Sequence, residues 1–335
     1  MLVRTFLAGL AAAATVAAAV VPAPVAAGKP LRPVVIWHGL GDNYQSDGML
    51  RMAALIEETF PGTFVHSVYL EEDPEKDAHA SLFGRIDDQV EQACEQLAAI
   101  PELAKGFDAI GFSQGGVMLR GYIERCNTPK VGAFLTFGTP HNGVADFPPC
   151  KPRDLVCRRK NSLLLTQAYT PYVQNRLTVA QYYRKPEELD KYLEYSNYLA
   201  DINNEREDKN ETYAANMAAL ENFAMVLFTT DLTVVPKWST WMAEYDRMTD
   251  VKTPLEQRPL YTEDWLGLKQ LGDSGRLHYH TIEGDHMRIP NDTFVEIIGQ
   301  YLGNEICAEA DPTAVPRFTY VDYLRNMATL FAADA

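Results

Sequence analysis

"FDAIGFSQGGVMLRGYIERC", residues 107–126, opens as an apolar run and closes as a helical pattern, with Gly111-Phe112-Ser113-Gln114-Gly115 at the join. Phe107, Ala109, Ile110 and Phe112 read as a short buried strand. Val117, Met118 and Leu119 to Tyr122 continue at helical spacing with no proline to interrupt them. A serine flanked by glycines at a strand-to-helix turn is the setting of a nucleophile elbow. The chain reverses there so sharply that a Cβ two residues to either side of the serine would clash, hence Gly111 and Gly115. The free N–H groups at the start of the helix then face any negative charge that develops beside the serine.

The rest of the chain alternates in the same way. Residues 32–42, "RPVVIWHGLGD", are a strand entering a glycine-rich turn, and a helix from Met49 to Phe60 stops at Pro61-Gly62. "TFVHSVYL" at 63–70 alternates like a strand, 83–99 is an amphipathic helix, and "VGAFLTF" at 131–137 is another strand. Two late strands follow, "FAMVLFTT" at 223–230 and "LHYHTI" at 277–282. Strands alternating with helices predict an α/β fold with a mostly parallel central sheet and helices on both faces. Between about 141 and 220 the pattern is helical and tyrosine-rich, too long for a loop. An inserted helical subdomain at about 145–225 is the economical reading.

Residues 1–27 carry Arg4, an Ala/Val/Leu-rich run and small residues before Gly28, which reads as a cleaved signal peptide. A membrane anchor is the rival, but the apolar run from Phe6 to Val21 ends in Pro22 and Pro24 and falls short of a span. The catalytic domain is then expected over 28–303, followed by a C-terminal extension, 304–335, to which no role is assigned. A net charge of −15 argues against a nucleic-acid surface, which needs basic clusters. The histidines lack H-E-x-x-H spacing and the cysteines lack a C-x-x-C pair, so neither metal nor cofactor is expected. Five cysteines in a secreted chain suggest two disulfides and one left over. Cys150 and Cys157 are close enough to staple a loop, pairing of Cys94 with Cys126 would brace the elbow, and Cys307 lies in the tail.

A serine hydroxyl is a weak nucleophile at neutral pH and needs a base, which in turn needs an acid to orient it. In folds with this elbow the chain order is Ser, then Asp or Glu, then His. Of seven histidines, His38, His66 and His79 precede the elbow and His141 precedes any plausible acid. His278 and His280 alternate within a strand and read as sheet residues, whereas His286 follows that strand in "TIEGDHMRIP", the position for a base. Asp231 follows "FAMVLFTT" directly and is the expected acid; its rival Asp285 adjoins His286, and successive side chains diverge. The oxyanion donors are expected to be the backbone N–H groups of Gln114, after the nucleophile, and Leu40, in the "HGLGD" turn.

"IWHGLGD", "GFSQGG" and "EGDH" in one chain resemble the palmitoyl-protein thioesterase family, lysosomal α/β-hydrolases that remove fatty acyl groups from cysteine. The similarity runs from about Pro33 to Leu302 and includes "YLADINNER" and "LYTEDWLGLK". The resemblance implies the triad Ser113, Asp231 and His286, the oxyanion donors Leu40 and Gln114, and disulfides Cys94–Cys126 and Cys150–Cys157. Asn210 in "KNET" matches a glycosylated position, and Asn291 in "NDT" is a second sequon. "FGTPHNGV" at 137–144 departs toward the wider lipase pattern.

The expected activity is hydrolysis of long-chain acyl thioesters on S-acylated proteins or peptides, with a lysosomal, vacuolar or secreted destination. A secreted lipase or carboxylesterase is the alternative, and a non-catalytic acyl-binding protein a minor one. The acyl groove is expected to be lined by Tyr, Leu and Val side chains of the insertion.

Overall fold

Val34–Trp37 (β1) runs parallel to Val65–Ser67 (β2) on one side and to Phe107–Phe112 (β3) on the other. Beyond β3 come Val131–Phe137 (β4) and Asn222–Phe228 (β5). Glu244–Asp246 (β6) and Val251–Thr253 (β7) form a separate antiparallel hairpin. Leu277–Ile282 (β8) closes the main sheet, giving six parallel strands in the order β2-β1-β3-β4-β5-β8, the α/β-hydrolase arrangement. The structure, a computed structural model, describes residues 31–147, 153 and 155–303. The expected signal peptide, the extension 304–335 with Cys307, and the Cys150–Cys157 pairing lie outside the described residues.

The apolar runs become central strands because both faces of the sheet are covered. Asp47–Thr59 (α1) and Asn291–Tyr301 (α13) cover one face, packing Met49, Met52 and Ile56 with Phe294, Ile297 and Ile298 against Ile110, Leu135 and Val226. Pro74–Leu82 (α2) leads into Ile86–Ala98 (α3), and with Gln114–Arg125 (α4) α3 packs Val90, Leu97 and Val117 against Val35, Phe107 and Phe134 on the other face. The helix expected over 83–99 is α3, Ile86–Ala98; α2, which the sequence did not suggest, ends just before it, and the two are separated at Gly84, whose φ of +119° suits glycine. Of "TFVHSVYL" the stretch Val65–Ser67 is the strand, with Phe64 and Val68 also bonded to β1 (Val34 N–H to the Phe64 carbonyl at 2.8 Å, Val68 N–H to the Ile36 carbonyl at 2.9 Å); the chain beyond turns toward Asp77 Oδ1, which accepts the N–H of Leu70 at 2.7 Å. A disulfide joins Cys94 on α3 to Cys126 at the end of α4.

Between β4 and β5 the described chain is helical: Leu155–Gln167 (α5), Pro171–Gln174 (α6), Thr178–Gln181 (α7), Leu189–Tyr195 (α8), Leu199–Ile202 (α9) and Glu211–Ala218 (α10). Short helices Pro259–Thr262 (α11) and Leu268–Asp273 (α12) precede β8. Asp108, inside the apolar run of β3, is fully buried and accepts from Arg32 at 2.7 Å and from the Ala133 N–H at 2.8 Å, pinning three strands at the end remote from Ser113.

Candidate active site

β3 delivers Ser113 at its carboxyl end and α4 begins at the next residue, so the chain must reverse within one residue. Ser113 does so at φ 50°, ψ −121°, in the positive-φ region that side chains avoid. Closeness of the two arms accounts for the glycines on either side. A Cβ on Gly111 would sit 2.2 Å from the Gly116 Cα, and one on Gly115 would sit 2.3 Å from the Trp37 carbonyl oxygen at the end of β1. Serine at a helix N-cap ordinarily accepts from a backbone N–H of the first turn. Ser113 makes no such bond, and its hydroxyl faces His286 instead.

His286 Nε2 lies 3.0 Å from Ser113 Oγ, and its Nδ1 lies 2.6 Å from Asp231 Oδ2. Each residue follows a strand: Asp231 the end of β5, His286 the end of β8. Asp231 is buried, and its Oδ1 accepts the N–H groups of Thr233 at 2.8 Å and Val234 at 3.0 Å, which leaves Oδ2 directed at the imidazole. Asp285 turns away, accepting from Thr230 Oγ1 at 2.9 Å. His278 and His280 stay in the sheet, on Asn222 and Tyr301 respectively.

Gly39 lies against Ser113, an added Cβ falling 3.1 Å from the Ser113 Cβ, so the turn carrying Leu40 passes beside it. Gln114 opens α4, where the first N–H groups have no carbonyl partner within the helix. The two sequons are elsewhere. Asn210 is exposed as the N-cap of α10, accepting from the Thr212 N–H at 3.0 Å, and Asn291 is exposed at the start of α13.

Ser113 and His286 open onto a cavity of about 300 Å³. Its walls are mostly apolar: Leu40 from the glycine-rich turn, Met49 and Met52 from α1, Val144, Phe147, Val179 and Tyr182 from the stretch after β4, and Val234, Met287 and Ile289 from the loops after β5 and β8. Phe147, Val179 and Tyr182 fall within the stretch 145–225 that the sequence reads as an insertion. The α1 wall is absent from the sequence reading, since Met49 and Met52 on an amphipathic helix read equally well as core packing.

A family model described as palmitoyl protein thioesterase matches residues 33–286. The chain is 39% identical over 274 residues to palmitoyl-protein thioesterase 1 of Caenorhabditis elegans, covering 80% of this chain and 91% of that protein. It is 36% identical over 264 residues to palmitoyl-protein thioesterase 3 of Dictyostelium discoideum, covering 78% and 88%. A third relative, the palmitoyl-protein thioesterase-dolichyl pyrophosphate phosphatase fusion 1 of Schizosaccharomyces pombe, is 32% identical over 275 residues, covering 82% of this chain and 44% of the fusion.

Proposed function

The chain belongs to the palmitoyl protein thioesterase family, and from that premise we propose how its residues carry out the reaction. The enzyme is a serine hydrolase that cleaves thioester-linked long-chain acyl groups, palmitate among them, from cysteines of proteins or peptides. Ser113 Oγ attacks the acyl carbonyl carbon as its proton passes to His286 Nε2. Asp231 accepts from Nδ1–H, fixing the tautomer that leaves Nε2 basic and stabilising the imidazolium once formed. The backbone N–H groups of Leu40 and Gln114 receive the oxyanion of the tetrahedral intermediate. The C–S bond then breaks, the cysteine thiolate departs and takes up the proton from His286. Because a thiol has a pKa near 8.5, this departure needs little help from an acid. Water, deprotonated by His286, attacks the acyl-serine and releases the fatty acid and the free Ser113 hydroxyl.

One observation carries this reading: the Asp231–His286–Ser113 hydrogen-bond chain, 2.6 and 3.0 Å long, lies at the wall of an apolar cavity. The apolar walls suit an acyl chain, and a polar peptide is then left at the mouth. The leader-like composition of residues 1–27 and the Cys94–Cys126 disulfide support passage through the secretory pathway to a lysosome, a vacuole or the exterior. Among the described residues no helix is long and apolar enough to cross a membrane. Steady-state hydrolysis of a palmitoyl-cysteine peptide tests the proposal, with the matched palmitoyl-serine oxyester as comparison. The thioester is expected to show the higher kcat/KM, and Ser113→Ala to abolish both activities. Preference for the oxyester would assign the enzyme to the lipases instead.

A further inference from the structure

We propose that Ser81, on α2, is a positioning residue that holds both arms of the oxyanion hole in register. The inference rests on the reading of Leu40 and Gln114 as the oxyanion donors. The turn bearing Leu40 is closed from within by Asp42 N–H donating to the Gly39 carbonyl at 3.2 Å. Outside it, the Gly41 N–H donates to Ser81 Oγ at 2.7 Å. The Ser81 hydroxyl gives its own proton to the Ala78 carbonyl, also at 2.7 Å, so the oxygen presents a lone pair to Gly41 and cannot rotate to donate there.

The backbone carbonyl of the same residue holds the other arm. It sits at the end of α2, where carbonyls have no partner within the helix, and accepts from Gln114 Nε2 at 2.8 Å and from Thr178 Oγ1 at 2.7 Å. Gln114 Oε1 accepts in turn from the Tyr182 hydroxyl at 3.0 Å, so the residue following the nucleophile is fixed through both ends of its amide. One helical turn earlier on α2, Asp77 accepts the Tyr44 N–H at 3.0 Å and lies 3.1 Å from His38 Nε2, gripping the chain on either side of the glycine-rich turn. Ser81, Gln114, Thr178 and Tyr182 are all buried, so the bonds among these four do not compete with water, whereas Gly41 is exposed and its bond to Ser81 is partly buried.

A glycine-rich turn has little intrinsic preference for one conformation. An oxyanion donor must nevertheless be fixed before the charge develops, because its benefit lies in not having to reorganise. Ser81 supplies that fixity from outside the turn while touching neither substrate nor nucleophile. Thr178 and Tyr182 extend the same cluster into the inserted helices, Tyr182 also forming part of the cavity wall.

The test is a series at one position, Ser81→Thr, Ser81→Cys and Ser81→Ala, in the full-length enzyme. The acceptor offered to Gly41 N–H is kept in the first, weak in the second and absent in the third. Deleting an oxyanion donor outright costs about 10²- to 10³-fold in kcat. A donor left in place but loosely held should cost less, so Ser81→Ala is expected to lower kcat by roughly 10- to 100-fold with KM within about twofold. Ser81→Cys should fall between Ala and Thr, and Ser81→Thr should retain most of the turnover. A fatty-alkyl trifluoromethyl ketone, whose adduct with Ser113 carries the oxyanion, should lose affinity in parallel with kcat/KM across the series. Affinity for an alkane such as decane, which has no oxygen for the donors and so reports the cavity alone, should stay flat.

Any two folded members supply the comparison. Equal kcat across the folded members, or a rise in KM at constant kcat, would overturn the role of Ser81. A ketone that fails to inhibit the wild-type enzyme would overturn the oxyanion reading itself.

Discussion

Ser113 is held in a backbone conformation that costs a side-chain-bearing residue about 1–3 kcal/mol, and the surrounding contacts maintain it. The return on that strain is geometric, since a relaxed N-cap serine would spend its oxygen on the helix. Substitutions at the triad should therefore act as one unit. Ser113→Ala and His286→Ala are each expected to lower kcat by about 10⁶, with the double variant little worse, whereas Asp231→Ala should cost on the order of 10⁴. Asp285→Ala should retain near-normal turnover, because that carboxylate bonds Thr230 and faces away from the imidazole. Pre-steady-state assays with a chromogenic acyl thioester would rank the four. A crippled Asp285→Ala beside an active Asp231→Ala would transfer the role of acid to Asp285. At this scale the candidate site is largely legible in sequence, since each group follows a recognisable apolar strand and the side chain of Asp285, next to His286 in the chain, diverges from its ring. Ser81 carries no such signal: a serine near a helix end reads as ordinary surface until the partners brought to it by the fold are known.

Among the elements, β8 carries a titration that its alternating pattern does not reveal. Burial pushes His278 and His280 down to a pKa of about 4, the neighbouring His280 adding to the effect at His278. An unfolded histidine titrates near 6.5. As pH falls the unfolded chain therefore takes up protons before the native one. The stability that depends on these two neutral rings is whole above pH 6.5, declines between 6.5 and about 4, and levels off below that. The slope is about 1.4 kcal/mol per pH unit for each ring while the unfolded form is charged and the native form is not. Gln at both positions keeps a donor for Asn222 Oδ1 and a partner for the Tyr301 hydroxyl without the titration. Urea unfolding at pH 7, 5.5 and 4.5 should show wild type losing ground to the His278→Gln/His280→Gln variant by a few kcal/mol. A difference independent of pH would mean that the two rings titrate in the native state as they do in the unfolded chain. The long strands are readable because their apolar runs of six or seven residues are bounded by turn signals and too short for a helix, and α4 because its pattern runs on at helical spacing with no proline. The three-residue strands β6 and β7 are too short to show a period, and α2 is hidden because its apolar content is low and its role is to present Asp77 and Ser81.

For the molecule as a whole, the parallel sheet brings the loops that carry Ser113, Asp231 and His286 to the carboxyl ends of its strands, and α1 and the helical stretch between β4 and β5 wall the space beside them. The sequence points to a groove, since a helical stretch too long for a loop must cover something, but it does not reveal which side chains enclose it. That depends on how α1 and α7 lie across the strand ends, a tertiary outcome with no local signature. Each buried methylene of an acyl chain contributes about 0.8 kcal/mol, so filling the cavity should penalise long chains selectively. Val179 is partly exposed within the cavity lining, and Val179→Trp is expected to reduce the ratio of kcat/KM for palmitoyl over octanoyl thioester by at least about tenfold, with octanoyl turnover largely kept. An unchanged ratio would place the acyl chain elsewhere. The central claim is that the thioester carbonyl is transferred to Ser113 before water reaches it. Mass spectrometry of enzyme quenched during a single turnover with a palmitoyl-cysteine peptide tests this directly. The account predicts the mass of one palmitoyl group on the fragment that contains Ser113, absent in Ser113→Ala; a palmitoyl group on any other residue, or turnover by folded Ser113→Ala, would contradict it.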